Sequence, residues 1–281
     1  MVQKSFRDAY AAALRQWPQP VDATELPTPY GLTRVNSTGP AGAPPLVLLP
    51  GGGATSTVWG ACVSAGLAAG RRVHAVDLVG DPGLSVPAAG ARIGSVADLN
   101  AWLDAVLDGL GLGPDGEGPV ELLGHSYGGW IAAHYAVHAP GRLSRLVLLD
   151  PTQVFAGYRP GYLLRALPML LRPTPARIRG FLAWETGGAA LDPAWLRLQE
   201  ETAGFRSARP VTGPRPDLTR LRDRGPEVLV LFAGAARCHA ARRAARAAAE
   251  ALPGARVGVL EGVAHHGTPQ IAADEIVRRL G

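Results

Sequence analysis

The sequence predicts an α/β protein with a mostly parallel central sheet and helices on both faces. Short apolar runs recur at 46–49 (LVLL), 73–78, 120–123, 143–149, 228–232 and 256–260, and stretches with helical spacing of apolar residues lie among them. Strands buried on both faces read as continuous apolar runs, and their alternation with helices marks βα units. The 281 residues are 47 % hydrophobic and only 18 % charged, enough apolar mass for one large core.

The elements follow in chain order. Phe6, Tyr10, Leu14 and Trp17 fall at helical spacing, and Pro18 and Pro20 end that helix. Residues 23–26 and 32–36, joined by the turn Thr28-Pro29-Tyr30-Gly31, read as a hairpin at a sheet edge. The run 46–49 stops at Pro50-Gly51-Gly52-Gly53, and a helix is expected over 58–68. Leu99, Trp102, Leu103, Val106 and Leu107 give an amphipathic helix over 96–110, followed by a glycine-rich loop at 111–119. Helices are also expected at 130–138, 240–252 and 271–280.

One stretch breaks the alternation. Residues 151–217 contain no run that reads as a buried strand, and 162–171, 175–185 and 193–201 read as three short helices. They carry Phe155, Tyr158, Tyr162, Phe181, Trp184 and Trp195. The chain therefore divides into a core segment 1–150, a helical insert 151–217 and a second core segment 218–281. The insert either packs on itself or forms a lid over a pocket.

Charge and composition narrow the function classes. The net charge is +5, and all but one of the 28 basic residues are arginine, Lys4 being the exception. The arginines are scattered; the densest group, Arg237, Arg242, Arg243 and Arg246, has no aromatic residue among it to stack a base. It reads as a solvated helix face rather than a nucleic-acid site. Cys62 and Cys238 make neither a disulfide framework nor a metal-site spacing. Lys4, Arg7, Asp8 and Arg15 interrupt any secretory apolar core, and no run approaches the ~20 apolar residues of a membrane span. A soluble cytoplasmic protein with a small-molecule substrate is expected, with neither nucleic acid nor membrane as partner.

The chemistry gathers at Glu121 to Trp130, ELLGHSYGGW. Gly-x-Ser-x-Gly is a cheap pattern in a chain with 36 glycines. Here, however, it follows an apolar strand and opens a helix, the strand-turn-helix context of a nucleophile elbow. Ser126 would then project from the carboxyl end of a strand, where open α/β sheets bind ligands.

The motifs LVLLPGGGATSTVW, DLVGDPGLS, GHSYGG and LEGVAHHG, in that order, resemble the α/β-hydrolase fold superfamily, and the likeness runs over nearly the whole chain after residue 20. The resemblance implies a serine nucleophile, Ser126, whose proton is taken by a histidine. His125 lies inside the elbow and should point away from the pocket. His134 and His138, four apart, lack the glutamate of a metalloprotease helix. His74 lies in a strand and His239 near a helix start. The family's histidine follows the last strand, so Gly262-Val263-Ala264-His265 points to His265, with His266 next. The resemblance also implies an oxyanion hole from the N–H groups of Gly52 and Tyr127.

The acid departs from the family's pattern. It usually stands three residues after a glycine that ends the strand at 228–232; counting from Gly234 gives Arg237, and no Asp or Glu lies between Gly234 and Ala249. Asp150, directly after the strand 143–149, is the preferred replacement, as in a minority of the superfamily. Glu261 and a histidine without a carboxylate are the alternatives.

The resemblance therefore implies a serine hydrolase acting on an ester, thioester, lactone or small amide with an apolar acyl or aryl group, and neither a metal nor an organic cofactor. Two other readings stand beside it: a non-hydrolytic enzyme of small-molecule biosynthesis on the same fold, and a ligand-binding protein on a degraded hydrolase scaffold. Haloalkane dehalogenases and epoxide hydrolases carry Asp at the elbow, which Ser126 disfavours; a cofactor-free perhydrolase shares the Ser-His-Asp set.

Overall fold

The computed structural model describes residues 3–18, 20–113, 116, 118–205, 207–222 and 225–281. Its strands are β1 (Asp22–Thr28), β2 (Gly31–Thr38), β3 (Pro45–Leu49), β4 (Arg72–Val76), β5 (Val86–Pro87), β6 (Val120–His125), β7 (Leu143–Leu149), β8 (Glu227–Ala233) and β9 (Arg256–Leu260). They form one sheet in the order β1-β2-β4-β3-β6-β7-β8-β9, with β5 also paired to β2. Every pairing from β4 through β9 is parallel; the pairings of β2 with β1, β4 and β5 are antiparallel. The expected edge hairpin is β1 and β2, while β5 is too short to leave a pattern in the sequence.

The helices are α1 (Lys4–Leu14), α2 (Gly60–Ser64), α3 (Val96–Gly109), α4 (Tyr127–His138), α5 (Pro160–Leu171), α6 (Pro175–Glu185), α7 (Pro193–Glu201), α8 (Ala241–Ala251), α9 (Thr268–Ile271) and α10 (Ala273–Leu280). Strand side chains alternate between the two faces. Val47, Leu49, Leu122, Leu146, Leu148, Val230 and Phe232 pack with α3, α4 and α8. Leu46, Leu48, Leu123, Val147, Leu149, Leu229 and Leu231 pack with α2 and α10. Both faces are covered, which is why the strands read as unbroken apolar runs. Among the described residues no helix is long and apolar enough to cross a membrane.

Local chemistry sets the helix starts. Ser95 caps α3 in a reciprocal box with Asp98. Thr174 and Asp192 accept the N–H groups of Arg177 and Trp195 at the starts of α6 and α7, each with proline at the next position. The helix expected over 58–68 is shorter: a 3₁₀ turn over Ser56–Trp59 leads into the five-residue α2, and the chain turns at Gly66, which has a φ of 96°. The helix expected over 271–280 is divided at Ala272 into α9 and α10. The glycine-rich loop expected over 111–119 lies partly outside the described residues.

Helix α1 lies against α7 through Phe6, Tyr10, Ala13 and Leu198. Its tyrosine enters a buried polar knot. Asp77, at the end of β4, accepts bonds from Tyr10 Oη (3.0 Å), Ser56 N (2.8 Å) and Leu84 N (2.7 Å). Asn36 of β2 donates to Tyr10 Oη (2.6 Å) and Ser56 Oγ (2.9 Å). Burial pushes the Asp77 carboxyl up, against the pull of these donors. The knot fixes the 3₁₀ turn that follows the Gly51-Gly52-Gly53 loop. Asp77→Ala strands three donors in the interior, and a loss of roughly 2–4 kcal/mol of unfolding free energy is expected, read as a lower urea midpoint at unchanged slope.

Candidate active site

Ser126 and Asp150 emerge side by side at the carboxyl edge of the sheet. β6 ends at His125 and β7 at Leu149, and these two residues are paired. The next residue of each strand turns sharply. Ser126 has φ 54° and Asp150 φ 41°, backbone that costs a non-glycine residue on the order of 1–3 kcal/mol and persists only where the surroundings enforce it. Ser126 N donates to Leu149 O (3.0 Å) and Asp150 N to Leu231 O (2.7 Å), locking both turns to the neighbouring strand.

The glycines around Ser126 are required by contact. A Cβ on Gly124 would stand 2.2 Å from Gly128 O, and one on Gly128 would stand 2.4 Å from both Leu49 O and Pro50 O. The turn after β6 is thus pressed against the end of β3 and its glycine loop. A Cβ on Gly51 would meet His125 and Ser126, and one on Gly52 would lie 3.5 Å from Tyr127 Cβ. Gly52 and Tyr127, the two expected oxyanion donors, are therefore neighbours. Tyr127 opens α4, so its N–H is one of the helix's unpaired first-turn donors.

His265 comes from the loop after β9. Its Nδ1–H donates to Asp150 Oδ2 at 2.5 Å, because a carboxylate can only accept. That tautomer leaves Nε2 free to accept from Ser126 Oγ–H, 2.8 Å away. His265 is 1 % exposed and Asp150 0 %, so the line is shielded from water.

Asp150 has a second imidazole. His239 Nε2–H donates to Asp150 Oδ1 at 2.7 Å, and Ala233 N donates to the same oxygen at 2.9 Å. Burial opposes charge on His239, but Asp150 and the Cys238 sulfur together outweigh it and raise its pKa to about 9. Burial likewise opposes charge on His265, while the Cys238 sulfur and Asp150 favour it, and its pKa lies well above the usual value. Asp150 responds in the opposite sense: burial would raise its carboxyl, and the two histidine donors hold it far below the ordinary range.

The remaining candidates take other places. His125 Nε2–H donates to His265 O at 3.0 Å, its ring lies 5.1 Å from that of His265, and burial lowers its pKa to about 3. As the last residue of β6, it is among the residues that border the cavity beside Ser126. His266 bonds Tyr162 Oη at 3.1 Å and packs on Phe181. Glu261 is exposed and paired with Arg242 at 2.8 Å. Arg237, where the family's acid would fall, lies over the Trp184 ring.

Glu185, the last residue of α6, is 1 % exposed and accepts the backbone N–H groups of His265 (3.1 Å) and His266 (3.0 Å). Nothing local in the sequence marks it or His239. Their partners are 80 and 89 positions away, and the one hint for His239 is that it stands in the segment where the family's acid is missing.

A cavity of about 710 Å³ opens on Ser126. Gly51, Gly52 and Gly53 line one side; Met169, Leu170, Ile178, Phe181, Leu182 and Trp195 of α5, α6 and α7 line the other. Asp150, Cys238 and His239 bring ligand-type atoms within 4.8 Å of one another. Both Asp150 oxygens are already committed to N–H donors, so the chemistry of this set is that of a saturated hydrogen-bond network.

A hydroxyl on a strained strand-helix turn, an imidazole at hydrogen-bond distance and a glycine loop against the turn define a hydrolase-type site on a parallel α/β sheet. The chain belongs to the alpha/beta hydrolase family, whose profile matches residues 46–279. It is similar to carboxylesterase YbfK of Bacillus subtilis (strain 168), 32 % identical over 183 residues, 65 % of this chain and 58 % of that protein. It is also similar to the uncharacterized carboxylesterase nap of the same organism, 30 % identical over 164 residues, 58 % of this chain and 51 % of that protein. The alignments thus span between about half and three-fifths of these curated relatives. The crystal structure of carboxylesterase CesB (YbfK) from Bacillus subtilis superposes with a TM-score of 0.87 at 26 % identity, covering 98 % of this chain and 95 % of that one.

The two acceptors of Glu185 fix the loop that carries His265. Glu185→Ala leaves two buried N–H groups unpaired, and a loss of roughly 2–4 kcal/mol is expected in chemical denaturation, with a smaller loss for Glu185→Gln, which keeps one acceptor oxygen.

Proposed function

We propose that the protein is a serine carboxylesterase cleaving a small apolar ester, with thioesters, lactones and small amides as related substrates, through an acyl-enzyme on Ser126. The observation that carries this reading is the line of hydrogen bonds from Ser126 Oγ through His265 to Asp150. The description of two relatives as carboxylesterases supports the ester class.

In this reading Ser126 Oγ attacks the ester carbonyl carbon as its proton passes to His265 Nε2. Asp150 holds the ring in the required tautomer and stabilises the imidazolium. The negative oxygen of the tetrahedral intermediate faces the N–H groups of Gly52 and Tyr127, donors already oriented before charge develops. The C–O bond then breaks, and the leaving alkoxide takes the proton from His265. Water, deprotonated by the same nitrogen, attacks the acyl-enzyme, and Ser126 recovers its proton as the acid departs. Residues 151–217 act as a lid whose helices α5, α6 and α7 supply the apolar wall for the acyl or aryl group.

His239 shares Asp150 with His265 and acts as a positioning residue. Its imidazolium draws on the carboxylate that His265 also uses, and so restrains the basicity of His265. Removing it leaves the charge of Asp150 to His265 alone, which raises the pKa of the base.

A fluorophosphonate probe is expected to label Ser126, and labelling is expected to vanish in His265→Ala. Asp150→Asn should lower kcat on an aryl ester by about four orders of magnitude with the fold intact by circular dichroism; a near wild-type rate would remove Asp150 from the mechanism. For His239→Gln, the acid limb of the kcat/KM profile, which reports the free-enzyme base, should move to higher pH. An unmoved limb would make His239 purely structural.

A further inference from the structure

Helix α5 turns much of its apolar surface to water. Leu163, Leu164, Leu167, Leu170 and Leu171 are 45, 70, 44, 64 and 72 % exposed. They fall at i, i+1, i+4, i+7 and i+8, which is one stripe of a helix. On its inner side the helix buries Tyr162 and Ala166. Single exposed leucines are ordinary on a protein surface, but a contiguous stripe of five marks an interaction face.

The charge around the stripe has one sign. From residue 151 to residue 184 the chain carries Arg159, Arg165, Arg172, Arg177 and Arg179 and no Asp or Glu. All five arginines are exposed. Arg179 is paired with Glu200 of α7. Among the described residues, Arg165, Arg172 and Arg177 have no carboxylate within the 4.0 Å of an ion pair. The stripe is also at the rim of the site: Leu170, with Met169 and Pro173 beside it, lines the cavity that opens on Ser126.

We infer that this face of α5 docks on an anionic lipid surface, the leucines entering the acyl boundary and the arginines lying at headgroup level. A helix of twelve residues cannot span a bilayer, but an apolar stripe with an arginine at each end of its helix, Arg159 and Arg172, suits a helix lying in the interface plane. The charge selects the occupant. A second copy docked on this face by a twofold axis would bring the same arginine-bearing patch to both sides of the contact, whereas an anionic surface complements it. The leucine stripe borders the cavity mouth, so an ester held in such a surface would have a short path to Ser126; this last step rests on the esterase reading above.

The test uses sedimentation with large unilamellar vesicles. The full chain is expected to co-sediment with phosphatidylglycerol–phosphatidylcholine vesicles, more weakly at high salt and with pure phosphatidylcholine. The double variant Leu164→Asp with Leu171→Asp, both outside the cavity lining, should lower the partition coefficient by at least about tenfold, while hydrolysis of a dissolved short-chain aryl ester stays at the wild-type rate. Arg159→Gln with Arg172→Gln should reduce binding to the anionic vesicles alone. Ser126→Ala should bind vesicles as the wild type does, which separates docking from catalysis; a wild-type chain that sediments but cleaves no ester overturns the esterase reading and leaves this one standing. No vesicle binding, binding unaffected by either double variant, or a dimer in analytical ultracentrifugation that the leucine variant dissociates would overturn the inference.

Discussion

The site depends on one carboxylate in a place without water. Asp150 is fully buried at the end of β7, with a positive φ of 41°. A lone charge there would be expelled by its own desolvation cost. It stays because three N–H donors converge on it: the backbone of Ala233 at the end of β8, the ring of His239 beyond β8, and the ring of His265 beyond β9. The same carboxylate thus ties together the ends of three adjacent strands. Removing such a group from its partners typically costs about 3–5 kcal/mol, so the local fold and the orientation of His265 rest on one interaction.

Around that centre the chain makes two further close fits. The glycine loop after β3 presses on the turn at Ser126 so tightly that Gly128 has no room for a methyl group. Farther out, the knot of Tyr10, Asn36, Ser56 and Asp77 holds the segment after the loop, and α1 reaches across to α7. The helices between β7 and β8 are joined to the core through α1, through Glu185 and Tyr162 at the histidine loop, and through Asp192 N, which donates to Gln270 of α9.

Much of this could be read from the sequence, and the reasons are specific. The strands β7 and β9 and the helices α6 and α7 fall where the apolar pattern puts them, because burial on both faces leaves unbroken runs and because Thr174-Pro175 and Asp192-Pro193 announce helix starts. The family likeness also marked Ser126 and His265, which the fold brings to 2.8 Å. Helix α4 begins three residues earlier than its pattern indicates, since Gly128 and Gly129 look like loop but are there for close packing. The third strand partner of β2, Val86–Pro87, carries no period at all. His239 and Glu185 were not legible as site residues: each owes its role to a contact across more than 75 positions, and no local pattern encodes such a contact.

Glu185 places two duties on a single helix. Phe181 and Leu182 border the cavity, and one turn later the same helix braces the loop that carries His265. Redesign for a bulkier or slimmer guest can therefore work residue by residue along the inner side of α6, but transplanting the whole segment from a relative would carry away the brace with the wall. A chimera at this junction has to preserve an acidic side chain at position 185 or supply another acceptor for two amides.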